Sequence, residues 1–273
     1  MAQAKTLDTA FITGAGSGIG RALAHALVAQ GCAVFITDNN AGNLSIVEQE
    51  LRAKQANVHA RIMDVSDRAD VFKAVEEATE KLGSVEGMFN NAGISFSDMV
   101  ETMSLDDFQR VMDIDFWGVV HGTQAVLPKM LESGTGHIVN VSSIFGIVGI
   151  PSQAAYCSAK HAVKGFNESL FYELEGTGVQ IHSVHPGGVD TGIVKHGVHK
   201  NTSSGETDLK ELEARFKEQA RTSPEEAAAI ILSGVARSKY RILVGGDARF
   251  IDRFQRWLPN LWRKVLPRFL NDF

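Results

Sequence analysis

Cysteine is almost missing from this chain: two residues, Cys32 and Cys157, in a length of 273. That rules out a disulfide framework and fits a reducing compartment, with Cys157 read as a small buried side chain. No apolar run approaches the roughly 20 residues needed to cross a bilayer. The start, Met1 to Asp8, is short and polar and lacks the pattern of a secretory leader, so a cytoplasmic location is expected. There is no long basic block and the net charge is −5, which argues against nucleic acid as the main partner. The nine histidines are scattered without ligand spacing, so no metal is expected.

What is present is a chain 44% hydrophobic, enough for one good-sized α/β core. Strand-like runs fall at 10–12, 33–37, 58–63, 85–89, 137–141, 179–184 and 241–244. Helix-like stretches fall between them: 21–30, 43–54, 70–81, a long one over 105–131, the segment from Tyr156 to about Glu175, and one opened by Ser223-Pro224-Glu225-Glu226. Ser223 with Glu226 makes a capping box, and Pro224 suits the first helical position. The alternation predicts an α/β fold of Rossmann type, a doubly wound parallel sheet of about seven strands with helices on both faces. Residues 1–246 read as one domain holding cofactor and substrate sites together, followed by a C-terminal extension over 247–273.

Two constellations carry chemistry. The first is Thr13-Gly14-Ala15-Gly16-Ser17-Gly18-Ile19-Gly20, between a short apolar strand and an amphipathic helix. A strand, a glycine turn and a helix in that order offer backbone N–H groups and the positive end of a helix dipole to a pyrophosphate. An acidic residue about 20 positions further on completes the dinucleotide pattern. It is Asp38, whose carboxylate can accept from both ribose hydroxyls and would repel a 2′-phosphate. Neither Ser17 nor Asn39 offers that phosphate a cation. NAD is therefore the expected cofactor, with NADP the alternative; if Asp38 only caps the next helix, the choice stays open.

The second is Ser143, Tyr156 and Lys160. Tyr156 and Lys160, four apart, share one helix face. An ammonium beside a phenol is expected to lower its pKa toward working pH, so that Tyr156 exchanges a proton with a substrate oxygen. Ser143, just after the apolar run Ile138 to Val141, is placed to hold that oxygen; Ser142 is the neighbouring candidate.

With these pieces set out, the chain resembles the short-chain dehydrogenase/reductase family over roughly residues 8–246. The matching motifs are Thr13 through Gly20, Asp64-Val65, Asn90-Asn91-Ala92-Gly93, Ser143, Tyr156 through Lys160, and Pro186-Gly187. The thirteen-residue gap between Ser143 and Tyr156 also matches and favours Ser143 over Ser142. The resemblance implies that Tyr156 is the general acid/base, that Ser143 orients the substrate oxygen, and that Lys160 binds the nicotinamide ribose. It implies that Asp64 meets the adenine amino group, with Val65 contributing backbone. Asn90, Asn91, Ala92 and Gly93 would flank the adenine ribose, and Pro186, Gly187, Val189 and Thr191 would lie at the nicotinamide. The family usually has Asn as a fourth catalytic member in the long helix. Here that position is Asp115, which loses the amide donor and sets a negative charge near Lys160. A homodimer or homotetramer, built on the helices carrying Asp115 and Tyr156, is also implied.

The expected substrate wall is apolar: Ile144 through Ile150 with Phe145, then Ile94, Phe96, Val189, Ile193 and Val194. A bulky apolar secondary alcohol or ketone fits it better than a sugar or a charged acid. Lys195 to Thr222, helix-like from Leu209, reads as a variable flap over the site. The extension carries Phe250, Phe254, Trp257, Leu258, Leu261 and Trp262 interleaved with Arg249, Arg253, Arg256, Arg263 and Lys264. Pro259 and Pro267 are expected to break it into short helices. It docks on its own or a partner subunit, lies on a membrane surface or takes up a lipid-like substrate, or is a loose tail. The leading reading is an oxidoreductase moving a hydride between NAD(H) and an apolar alcohol or ketone. The competing readings are an NADP-dependent carbonyl reductase for a lipid-like substrate and a non-catalytic dinucleotide-binding sensor.

Overall fold

Short strands buried on both faces organise this chain. The computed structural model describes residues 7–193, 197–201, 214, 217, 218, 220–261 and 264. In β1 (Thr9–Thr13) every residue is buried. Pleating sends Ala10 and Ile12 to one face and Phe11 to the other, where its ring stacks on Phe35 at 5.2 Å. The rest of the sheet is β2 (Ala33–Asp38), β3 (Val58–Ile62), β4 (Gly87–Asn90), β6 (Gly136–Val141), β7 (Val179–Pro186) and β9 (Arg241–Val244). All pairings are parallel, in the order β3-β2-β1-β4-β6-β7-β9. The chain leaves β1 toward β2 and returns on its other side at β4, so the carboxyl ends of β1 and β4 flank the switch point where such folds bind ligands.

Helices α1 (Gly18–Ala29), α2 (Ala41–Arg52) and α7 (Pro224–Val235) cover one face through Leu23, Leu27, Leu51 and Ile231. Each of these fully buried side chains contributes about 1.5–3 kcal/mol. Helices α3 (Arg68–Leu82), α5 (Gly118–Ser133) and α6 (Ala154–Glu173) cover the other. The turns that bring helices back to strands, at Gly31, Gly83 and Gly176, lie at the rim opposite the switch point. Boundaries depart from the sequence expectation by up to two residues in most elements. The capping box forms as read: Ser223 Oγ accepts from the Glu226 N–H at 3.1 Å, and the Glu226 carboxylate accepts from the Ser223 N–H at 3.0 Å.

Three features differ from expectation. The long helix over 105–131 is not one α-helix: α4 (Leu105–Met112) and α5 are joined by a π-helical turn over Asp113–Trp117. The wider turn re-aims one side chain, and here it carries Asp115 to the fully buried side. A small parallel pair, β5 (Phe96–Ser97) with β8 (Val198–His199), was not anticipated. Most of the expected flap lies outside the described residues; within its expected helix from Leu209, Ala214, Lys217 and Glu218 are described, and all three are helical.

The extension begins directly after β9 as α8 (Gly246–Trp257). Ala248, Ile251 and Phe254 pack on Ile144, Ile147, Val148 and Leu243. Asp252, 6% exposed, pairs with Arg241 of β9 and with Arg256. α8 ends at Trp257, just ahead of Leu258 and Pro259, as a proline predicts.

Candidate active site

The glycine turn is held in place by its neighbours. Gly14 has φ +63°, and a Cβ there would lie 2.8 Å from Ala92 Cα, so only glycine fits. Asn91 Nδ2 donates to the carbonyls of Thr13 and Gly14 at 3.0 and 3.1 Å. The Thr13 hydroxyl accepts from the Asn91 and Ala92 N–H groups, both at 3.0 Å. Thr13, Asn91 and Ala92 thus tie the turn to the end of β4. Thr191 reaches the same turn: a Cβ on Gly18 would meet its methyl at 3.1 Å.

Asp38 closes β2 and accepts from Gly16 N and Asn40 N, both at 2.8 Å. Asp64 is exposed, with Oδ1 accepting from the Ser66 N–H and hydroxyl at 2.9 and 2.7 Å. Val65 is buried, and its carbonyl accepts from His121 Nδ1 at 3.0 Å. These residues fit a dinucleotide. Side chains of Asn40, Asp67, Ser104 and Ser223 cap α2, α3, α4 and α7, whereas α1 starts at Ser17 with no side-chain cap and no acid in its first turn. Its first amides are left for an anion such as a pyrophosphate.

Across the crevice, Ser143 lies two residues beyond β6 and opens the short 3₁₀ turn Ile144–Gly146, its Oγ accepting from Phe145 N at 3.1 Å. Tyr156 and Lys160 sit on α6, both buried. The Ser143 hydroxyl neighbours that of Tyr156, and the Phe145 ring meets the Tyr156 ring edge-on at 6.5 Å. Ser142 has a different task, donating to the Lys160 carbonyl at 2.8 Å. Lys160 Nζ lies 3.3 Å from Asp115 Oδ2, 3.3 Å from the Val141 carbonyl and 5.6 Å from the Tyr156 ring centre. Asp115 Oδ1 accepts from Ile94 N at 2.8 Å. Gly93 lies against the Lys160 and Asp115 side chains: a Cβ there would stand 3.2 Å from Nζ and 3.4 Å from Oδ1.

The electrostatics correct one expectation. Burial, followed by the Asp115 charge, pushes the Tyr156 phenol above its ordinary pKa, only partly offset by the nearby Ser143 hydroxyl. Lys160 was expected to pull it down, but its ammonium faces the Asp115 carboxylate. Burial also raises Asp115 itself, against the pull of Lys160.

Of the expected substrate residues, Phe145 and Ile193 are half-buried. Phe96 is 3% exposed and packs in one cluster with Tyr156, Val111 and Ala155. Val189 is buried in the core on the α1 and α7 side, and Val194 lies outside the described residues. Pro186 ends β7, and Gly187 N donates to the Val244 carbonyl at 2.9 Å. Asp247, the second residue of α8, accepts from Gly188 N at 2.7 Å; a Cβ on Gly187 would collide with its carboxylate.

Sequence reasoning missed a buried polar chain behind the site. Asn90 Nδ2 donates to Asn140 Oδ1, and Asn140 Nδ2 to Asn167 Oδ1, both at 2.7 Å. Asn167 donates to the Ser183 hydroxyl at 3.0 Å, which bonds His185 Nε2 at 3.0 Å. His185 Nδ1 then donates to the Ser143 carbonyl at 3.1 Å. Asn140 and the pair Ser183 and His185 interrupt apolar strands on the face toward α6. That same-face spacing was the available signal.

Comparison with known proteins accords with this geometry. A family profile described as short chain dehydrogenase matches residues 8–202. The Mycobacterium tuberculosis protein named SadH is 37% identical over 259 residues, covering 94% of this chain and 93% of its own. Estradiol 17-beta-dehydrogenase 11 of Pongo abelii is 30% identical over 267 residues, covering 96% and 83%. A Burkholderia phymatum short-chain dehydrogenase/reductase, solved in complex with NAD, superposes with a TM-score of 0.86 at 29% identity, covering 93% of this chain and 95% of that one. The chain belongs to the short-chain dehydrogenase/reductase family, and with it to the NAD(P)-dependent oxidoreductases.

Proposed function

We propose that the protein is an NAD-dependent dehydrogenase or carbonyl reductase for a bulky, apolar secondary alcohol or its ketone, with Tyr156 as general acid/base. The observation that carries this reading is Tyr156 with the Ser143 hydroxyl beside its phenol, Lys160 Nζ 5.6 Å from its ring centre and the Phe145 ring edge-on against it. The dinucleotide, when bound, supplies or accepts the hydride through its nicotinamide. Ser143 holds the substrate oxygen, and Tyr156 takes its proton in oxidation or returns one in reduction. Lys160 anchors the ribose side. Phe145, half-buried and edge-on to Tyr156, excludes water from the reacting carbon.

Asp38 supports NAD over NADP, since its carboxylate stands where a 2′-phosphate would bring further negative charge. The related structure holding NAD supports the same choice. A relative named for estradiol, itself a bulky apolar secondary alcohol, supports the substrate class. Initial rates with both cofactors, over alcohols and ketones graded by size and polarity, provide the test. Tyr156→Phe should cut turnover by about 10²–10⁴-fold while dinucleotide binding persists. Full activity in Tyr156→Phe, or no turnover of any compound in the panel, overturns the reading; faster rates with NADP overturn the cofactor assignment.

A further inference from the structure

We propose that the outward face of α8 seats this protein on an anionic lipid surface. The helix is pinned from beneath by the Arg241–Asp252 pair and by Ala248, Ile251 and Phe254, so its outer face is presented without further folding. That face is apolar where a surface helix should be polar. Phe250 is 57% exposed and Trp257 83%, with Leu258 at 45% and Leu261 at 44%. Phe250 and Trp257, seven apart, form one stripe, and Phe254 stacks beside Phe250 at 5.9 Å.

Arg249, Arg253 and Arg256, at spacings of four and three, form the exposed stripe next to it. Residues 247–273 hold six Lys/Arg against three Asp/Glu, in a chain whose net charge is −5. Aromatic rings beside arginines on one exposed helical face suit the boundary between headgroups and acyl chains. A second copy of the chain fits worse, because a two-fold contact through this face would set the arginines of both copies against each other. No described helix is long and apolar enough to cross a membrane, so the contact is peripheral.

The test is co-sedimentation of the full chain with vesicles of phosphatidylcholine alone and of phosphatidylcholine mixed with phosphatidylglycerol, at low salt. The protein should pellet with the mixed vesicles only and be released as salt rises. Replacing two arginines (Arg249→Gln with Arg253→Gln) should weaken binding about thirty-fold, from roughly 1 kcal/mol per basic residue near the surface. Trp257→Ser should also release it. If a variant misfolds by circular dichroism, the salt titration of the unaltered chain decides. Protein that stays in solution with the mixed vesicles, or binds both kinds alike, overturns the proposal. A smaller oligomer for Trp257→Ser, without vesicle binding by the unaltered chain, assigns the face to a second copy instead. No turnover enters the measurement, so it is decided separately from the catalytic reading.

Discussion

Replacing Asp115 by asparagine removes one charge from the centre of the site and little else. The carboxylate is fully buried, 3.3 Å from Lys160 Nζ, and holds Ile94 N through its other oxygen. At an effective dielectric near 20 the Coulomb attraction across 3.3 Å is about 5 kcal/mol. Desolvation of the two ions offsets most of it, yet breaking such a pair from one side typically costs about 3–5 kcal/mol. Asparagine still offers Ile94 an acceptor, so the loss for Asp115→Asn should be near 3 kcal/mol, a drop in Tm of roughly 6–10 °C. Asp115→Ala, which also strands the Ile94 N–H, should lose about 1–3 kcal/mol more.

The catalytic effect runs the other way. Asp115 is one of the charges holding the Tyr156 phenol up, and with Tyr156 in the proposed role of base, alcohol oxidation needs the phenolate. With that charge gone, the rise of kcat/KM with pH should move to lower pH. The assay is a pH–rate profile for oxidation at saturating dinucleotide, run beside urea unfolding of the same samples. A profile that superimposes on the unaltered enzyme would mean that the Asp115 carboxyl carries no charge in the working site; a shift to higher pH would refute the electrostatic account outright.

Three further outcomes can be measured. Burial pushes His182 and His185 down to about 4 from 6.5, so the folded state binds fewer protons than the unfolded chain between those values. Their contribution to stability is complete above pH 6.5 and is lost as pH falls toward 4, by about 2 kcal/mol per histidine at pH 5. Urea midpoints that are flat from pH 7 to pH 5 would contradict this. Asn140→Leu should destabilise by about 2–5 kcal/mol, because it strands an Asn90 donor and an Asn167 acceptor in the interior; a change below 1 kcal/mol in urea would show that the chain of amides is not a unit. Gly187→Ala should raise KM for the dinucleotide by forcing Asp247 off Gly188 N, and adding Asp247→Ala should restore part of the loss. Strictly additive effects of the two substitutions would count against that coupling.

Most of the architecture was legible because each strand is a short apolar run and each helix has its own periodicity and punctuation. The order of those runs sufficed for a parallel sheet, and Ser223 with Glu226 marked a helix start to the residue. The expected residues Gly14, Asp38, Asn91, Ser143, Tyr156 and Lys160 all fall at the carboxyl rim of the sheet. Less legible was anything decided by what a side chain meets. Amphipathic spacing over 105–131 does not reveal a π-helical turn, since one extra residue in the ladder leaves the pattern nearly intact. The upward push on Tyr156 depends on burial and on Asp115 facing Lys160, neither of which spacing encodes. Asn140, Asn167, Ser183 and His185 come from a strand, the helix after it and the next strand, and their meeting is tertiary. Phe96 looked like a wall residue from its place after the Asn90 to Gly93 motif, but it is packed beneath Tyr156.

Because every strand of the main sheet runs the same way, the two rims of the molecule have separate duties. The helix-to-strand returns at Gly31, Gly83 and Gly176 sit on the far rim, and a methyl group built on any of them touches nothing within 4 Å. An affinity tag, a fluorophore or a tether to a solid support placed in these returns would leave the reacting end facing the solution. Immobilised in that orientation, the protein would keep its crevice unobstructed.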